Sequence, residues 1–392
     1  MFPTAIPPPR HGAWHNVLLS RDLWHYVASF QPGYLQDLVP FVHWHRLHTA
    51  LAASDRLAPP METLNALHRL LGPWFDTYGH ARLALLYSVF PRMQALVVVH
   101  AAASGRLDLI SGDDDSDVAC PRRLVCVAAA SGQLDVVEHF QSCDRRQPAL
   151  PPLDLLAVAA AHGQLHVVRH MHDALANRQS VQPIRRLTTT IVPSSVLDDA
   201  AAGGHVDVVA FLHAHGYGAT TAAMDRAAAQ GHLDMVIFLH AHRTEGCTRA
   251  AVDGAAAAGH VHVVRWLTEH RHEGWTSDAL TDAAAHGHLH VLQVLVAKRP
   301  RLGCAMHAMD LAATHGHVAV VAFLHAECGE GCTEDALVGA RRNGHDDVLA
   351  YLAIHGDDII HCICCCCGFY KPRNHYCAVL ERVRRSSSDR QV

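Results

Sequence analysis

The sequence predicts an all-α solenoid: antiparallel helix pairs stacked side by side, opened by an N-terminal helical cap. Three observations predict it. A glycine recurs at Gly105, Gly132, Gly163, Gly204, Gly231, Gly259, Gly287, Gly316 and Gly344, at intervals of 27, 31, 41, 27, 28, 28, 29 and 28 residues. An alanine-rich stretch precedes each glycine, as in AAAAGHVHVVRWL (255–267). Behind it, apolar residues fall at +2, +4, +5, +7 and +8, as in Val206, Val208, Val209, Phe211 and Leu212. A self-similar period of this size marks a stacked array.

Each part of the repeated word has a physical reading. The alanines form a first helix. Thr220, Thr248, Thr276 and Thr333 stand where an N-cap would accept a backbone N–H. The glycine ends that helix in a left-handed conformation that other residues resist. The apolar positions behind it define one face of a second helix, antiparallel to the first. The column at +7, Phe211, Phe238, Trp266, Phe323 and Tyr351, reads as core. Each buried Val, Leu or Phe contributes about 1.5–3 kcal/mol. A lone pair leaves half its apolar face wet, so the units stabilise one another only as a stack.

Three regions follow along the chain: an N-terminal helical region at 1–60, the solenoid at 61–356 with clear repeats from about 95, and a Cys-rich, basic tail at 357–392. Within 17–51, Leu18, Leu23, Val27 and Phe30 make an amphipathic helix, followed by further helical turns at Leu35, Leu38, Val42 and Trp44. Residues 61–99 hold a degraded unit around Gly79 and His80. Two insertions break the period, at 144–152 and at 173–193, the second carrying Arg178, Arg185 and Arg186. In the tail, Cys364 and Cys367 have zinc-knuckle spacing with His375 and Cys377 downstream. The same cysteines beside Lys371, Arg373 and Arg382 would also suit acylation, or the tail simply caps the last repeat.

Composition narrows the function classes. Half of the 392 residues are hydrophobic, 18% are charged, and the net charge is −5. Nothing in this balance suggests the nucleic-acid footprint that clustered Lys and Arg would give, so nucleic acid is not expected as a partner. The opening MFPTAIPPPRHG has no apolar core, and no apolar run reaches the roughly 18–20 residues of a membrane span. The chain therefore reads as cytoplasmic, or nuclear, with its 13 cysteines reduced. Phosphate-binding loops, nucleophile elbows, His-Glu-x-x-His and kinase signatures are all absent from the sequence, so no enzyme is expected.

The 35 histidines raise the question of metal. His205, His232, His260, His288, His317 and His345 each follow a repeat glycine. Neighbouring helices lie about 8–10 Å apart, whereas two ligands of one zinc each approach to roughly 2.1 Å. The column reads as structural, with no metal site and no cofactor. His166 and His170 are a helical i, i+4 pair without an evident third ligand.

The word Ala-Ala-x-x-Gly-His-x-x-Val-Val, over about 95–356, resembles the ankyrin repeat. The resemblance implies a protein-interaction scaffold with a protein partner. Two features depart from the family: the Thr-Pro-Leu-His opening is missing, with Asp253 where its histidine would stand, and the period is near 28 instead of about 33. Tight links such as 244–248 and 329–333 replace the projecting finger. Asp198, Asp225, Asp253 and Asp310 share one register, with Asp282 one residue later. They form either an acidic ladder for a partner or bonds to the neighbouring link. The candidate partner-binding residues are Arg226, Gln230, Asp253, Asp282, His286, His315, Arg341 and Arg342. Residues 17–51 also resemble an F-box, although Ser20 follows Leu19 where proline is usual. That implies a Skp1-type adaptor partner and a substrate receptor of a ubiquitin ligase; a solenoid cap is the other reading.

Overall fold

A computed structural model describes residues 59–110, 121–143, 152–178, 195–298, 305–328 and 332–359, with Leu38, Phe41 and Thr49. The chain divides into two units, 1–181 and 182–392. The F-box-like stretch otherwise lies outside the described residues, as do most of both insertions and the tail from 360. All regular elements of more than one residue among the described residues are helices.

In the first unit, α1 (Met61–Tyr78), α2 (Leu83–Val89) and α3 (Met93–Ser104) lead to the pair α4 (Pro121–Ser131) and α5 (Leu134–Cys143), then to α6 (Pro152–Ala161) and α7 (Leu165–Arg178). Helices α3, α4 and α6 stack in that order, and α4 and α6 each pack on their own second helix. Gly105, Gly132 and Gly163 all have φ between 74° and 78°. Gly79 differs: φ is 56° but ψ is −139°, so the chain leaves α1 by another path than the repeat turn.

Among its described residues the second unit holds six successive pairs. They are α8 (Ser195–Ala202) with α9 (Val206–Ala214), α10 (Thr221–Ala229) with α11 (Leu233–His242), and α12 (Ala250–Ala257) with α13 (Val261–His270). Then come α14 (Ser277–Ala285) with α15 (Leu289–Lys298), α16 (Ala305–Thr314) with α17 (Val318–Cys328), and α18 (Glu334–Asn343) with α19 (Asp346–Ile359). First helices pack on first helices and second helices on second helices throughout this unit.

The turn between the helices of a pair is the same each time. Gly259 N–H donates to the Ala256 carbonyl, and His260 N–H donates to Ala255 at 2.9 Å. That is a Schellman end. The carbonyl acceptor five residues before the post-glycine residue is an alanine in every turn from Ala101 to Ala340. The alanines at −4 and −3, such as Ala255 and Ala256, are fully buried. On the second helix, +4, +5 and +8 are buried, as in Val263, Val264 and Leu267. The +7 aromatics are only half-buried, so they are not the core the helical spacing predicts. They lie at the flank, where the apolar arc meets solvent.

Candidate partner-binding surface

Two repeated polar devices in the second unit consume the letters that recur from repeat to repeat. The first joins a first helix to the next link. Asp198, Asp225, Asp253 and Asp310 each accept two bonds from a threonine 22 or 23 residues later. Asp253 Oδ1 takes the Thr276 N–H at 2.8 Å, and Oδ2 takes the Thr276 hydroxyl at 2.9 Å. Asp198 holds Thr220, Asp225 holds Thr248 and Asp310 holds Thr333 in the same way. The threonine oxygens in turn accept the first free N–H of their own helices, as Thr276 does from Asp278 at 3.1 Å. Burial raises the carboxyl pKa of Asp253 and Asp310, with the threonine bonds opposing it. Of the two readings of this register, the bond to the neighbouring link is the one observed, and Asp253 is engaged inside the molecule.

The second device is the post-glycine residue. The rings of His232, His260, His288, His317 and His345 each cover the glycine of the preceding turn. A Cβ on Gly287 would lie 2.6 Å from His317 Nδ1. His288 Nε2 donates to the Ala257 carbonyl at 3.1 Å, and His317 Nε2 to Ala285 at 3.0 Å. A carbonyl can only accept, which fixes the proton on Nε2. Burial lowers the His317 pKa, the bond to Ala285 opposes this, and His315, His288 and His345 lower it further. In the first unit Gln164 does the same work: its Nε2 donates to Ala130 at 3.1 Å, and its amide covers Gly132.

The links carry a third device that spacing alone did not reveal. Arg243 pairs with Glu245, and Arg271 with Glu273. Arg243 also donates to the Tyr217 carbonyl at 3.2 Å, and the Arg271 guanidinium covers Gly246 of the preceding link. Burial pushes the carboxyl of Glu273 up, but Arg271 and the backbone N–H groups of Glu273 and His272 together outweigh this and leave the pKa lowered. A cleft of about 250 Å³ beside this link is lined by Cys247, Leu267, Arg271, Glu273, Trp275 and Lys298 among others. Burial pushes the Cys247 thiol up to about 11, so it is a poor nucleophile.

On the second helices four of the +7 aromatics, Phe211, Phe238, Trp266 and Tyr351, pair with histidines four residues on. Trp266 and His270 stack with centroids 4.5 Å apart, and Phe238 stacks on His242 at 4.4 Å. His215, His242 and His270 donate Nδ1–H to the carbonyls of Phe211, Phe238 and Trp266. Among the described residues, no three His, Cys, Asp or Glu side chains gather as a metal site would require. No described helix is long and apolar enough to cross a membrane.

The remaining candidates are free of these devices. Arg226, Gln230, His286, His315, Arg341 and Arg342 are exposed, while Asp282 is half-buried. Arg226 makes one surface pair, at 2.5 Å, with Asp199 of the preceding repeat. All lie on the first helices or their C-terminal ends.

No protein-family model matches the chain, and no curated protein matches it. Among solved structures it is similar to the crystal structure of the human ASB11 ankyrin repeat domain, with 18% identity and a TM-score of 0.38. That match covers 51% of this chain and 96% of the other.

Proposed function

We propose that this chain is a non-enzymatic protein-interaction scaffold of the ankyrin type with short links, working in the cytoplasm or nucleus. One observation carries the reading. The recurring polar letters are spent on holding repeat to repeat, as Asp253 is on Thr276, while the letters that vary stand exposed on the first helices. A fixed frame presenting variable side chains is how repeat arrays make binding surfaces. Arg226, Gln230, His286, His315, Arg341 and Arg342 are the contact residues of this reading, with Asp282 at its margin.

The test is crosslinking and mass spectrometry from cell lysate, with the intact chain and a variant carrying alanine at those six exposed positions. A partner recovered by the intact chain and lost with the variant supports the assignment. Equal recovery removes it. A third sample lacking residues 1–55 addresses the F-box-like stretch: a Skp1-type adaptor recovered only when those residues are present makes the chain a substrate receptor. Absence of adaptor from all samples leaves the stretch as a cap.

A further inference from the structure

The turn edge of the second unit changes character along its length. At +3 from the glycine, the outer repeats carry carboxylates, Asp207, Asp234 and Asp347, at exposed positions. The three middle repeats carry His262, His290 and Ala319 there. Immediately before the glycine, two of these repeats carry exposed His286 and His315. Helices α12, α14 and α16 pack successively, which brings the three turns into line.

The hydrogen bonds sort these histidines. His288 and His317 are the half-buried clamps, each with Nε2–H on a backbone carbonyl. His286 Nδ1 donates to Asp282 O at 2.8 Å, His315 Nδ1 to Leu311 O at 2.9 Å, and His290 Nδ1 to the Gln293 side-chain oxygen at 3.2 Å. In each of these three rings Nδ1 is the nitrogen engaged within the chain. The His286 and His288 rings stack with centroids 5.9 Å apart, and His317 senses the charges of His288, His315 and His345. Repulsion among neighbouring rings opposes positive charge here, as it does at His317, while the carboxylates of the packed elements are engaged or set apart, with Asp234 one repeat before His262. Asp253 and Asp310 on the packed first helices are turned to Thr276 and Thr333. Asp282 is half-buried, and Asp346 and Asp347 lie one repeat beyond.

We propose that this edge, presented by His262, His286, His290 and His315, is a docking surface for an acidic peptide segment, engaged when the exposed imidazoles are protonated. Imidazole is the side chain that gains its charge between about pH 5 and 8. Repeats stand about 10 Å apart, and an extended chain rises about 3.3 Å per residue. The edge therefore fits a strand with a carboxylate at about every third residue. A short acidic segment suits it better than a long polyanion, because the chain as a whole is negative at −5 and carboxylates flank both ends of the strip. The inference rests on the scaffold reading and names its partner's chemistry.

The probe is labelled poly-L-aspartate, whose side chains stay ionised at about pH 5.5, with a chelator present and circular dichroism recorded at each pH. Fluorescence anisotropy is expected to give binding roughly tenfold or more tighter at about pH 5.5 than at about pH 7.5, weakened by salt. The combined variant His262→Gln, His286→Gln, His290→Gln and His315→Gln leaves both clamps in place and should abolish the pH dependence. A control replacing His215, His242 and His270 by Gln should keep it. Equal binding by the four-site variant, a pH-independent wild type, or tighter capture of a polynucleotide at the same residues each overturns the proposal. Loss of poly-aspartate binding while the lysate partner is still recovered sinks this inference and leaves the scaffold standing.

Discussion

Asp253 holds Thr276 by both of its oxygens, 2.8 Å from the backbone nitrogen and 2.9 Å from the hydroxyl, across 23 residues of chain. The bond stitches helix α12 to the start of α14, and Thr276 passes it on by capping its own helix. Asp253→Ala leaves the Thr276 N–H without its acceptor in a half-buried place. An unsatisfied group of this kind costs about 1–3 kcal/mol, read as a drop in the urea midpoint with an unchanged slope. Asp253→Asn keeps an acceptor for the N–H but offers a donor to the hydroxyl, so its loss should be smaller. Equal midpoints for Asp253→Ala and wild type would mean the pair contributes nothing.

Gly259 turns the chain at φ 79°, and the His288 ring covers the place of its missing Cβ, with Nδ1 2.7 Å from it. Gly259→Ala therefore meets two separate penalties. The left-handed backbone costs an L-residue roughly 1–2 kcal/mol, and the ring must also move. His288→Ala in the same chain removes the second penalty and leaves the first. The two substitutions together should then be less destabilising than the sum of each alone, by an interaction energy of about 0.5–3 kcal/mol. Strict additivity in thermal unfolding would separate the ring from the glycine.

Much of this was legible because glycine and proximity leave marks in sequence. The Gly period gave the order of the helix pairs, although among the described residues a short 3-10 helix, Leu107–Leu109, follows Gly105 in place of a second helix. The threonines before α10, α14 and α18 cap as their position implied. The aspartate register was visible, but its partner was not fixed by sequence, because an exposed carboxylate and one bonded 23 residues away look alike. The +7 aromatics were misplaced for a similar reason. A 3.6-residue period defines an arc, and Trp266 at its flank meets His270 and His240 instead of the interior. The arginine clamps recur at the 28-residue interval, from Arg243 and Glu245 to Arg271 and Glu273, but charged letters in a short link look the same whether paired or solvated.

Acid should loosen both units through histidines whose neutral form the fold prefers. Burial lowers the His100 pKa to about 4, with His68 and Arg106 adding to it; the ring is 3% exposed and stacks on Phe75. His317 is lowered in the same direction. The folded pKa lies below the unfolded value of about 6.5, so the stabilisation is complete above that pH. It is lost as pH falls through the window between the two values, down to about 4 for His100. The full loss from His100 is roughly 3 kcal/mol. Asp310 and Asp253, raised by burial, act in the opposite sense, favouring the folded state as they protonate at lower pH. Chemical denaturation of wild type and His317→Gln across about pH 7.5 to 5 should show a shallower acid decline in the variant. Parallel declines would exclude His317 as a contributor.

Cys247 and Cys332 sit one residue before Thr248 and Thr333, the threonines that Asp225 and Asp310 hold. Both thiols are buried, and burial pushes them up to about 11 and about 12. The thiolate is the form that reacts with an alkylating reagent, so each should label only when its link opens. Peptide-resolved mass spectrometry after brief iodoacetamide treatment should find both protected in the native chain and modified in denaturant. Asp225→Ala frees the Thr248 link while leaving the Asp310 to Thr333 bonds in place. Cys247 labelling should then accelerate, with Cys332 unchanged as the internal control. Acceleration at both cysteines would mean that the substitution loosens the whole unit, and at neither, that the aspartate does not hold its link shut.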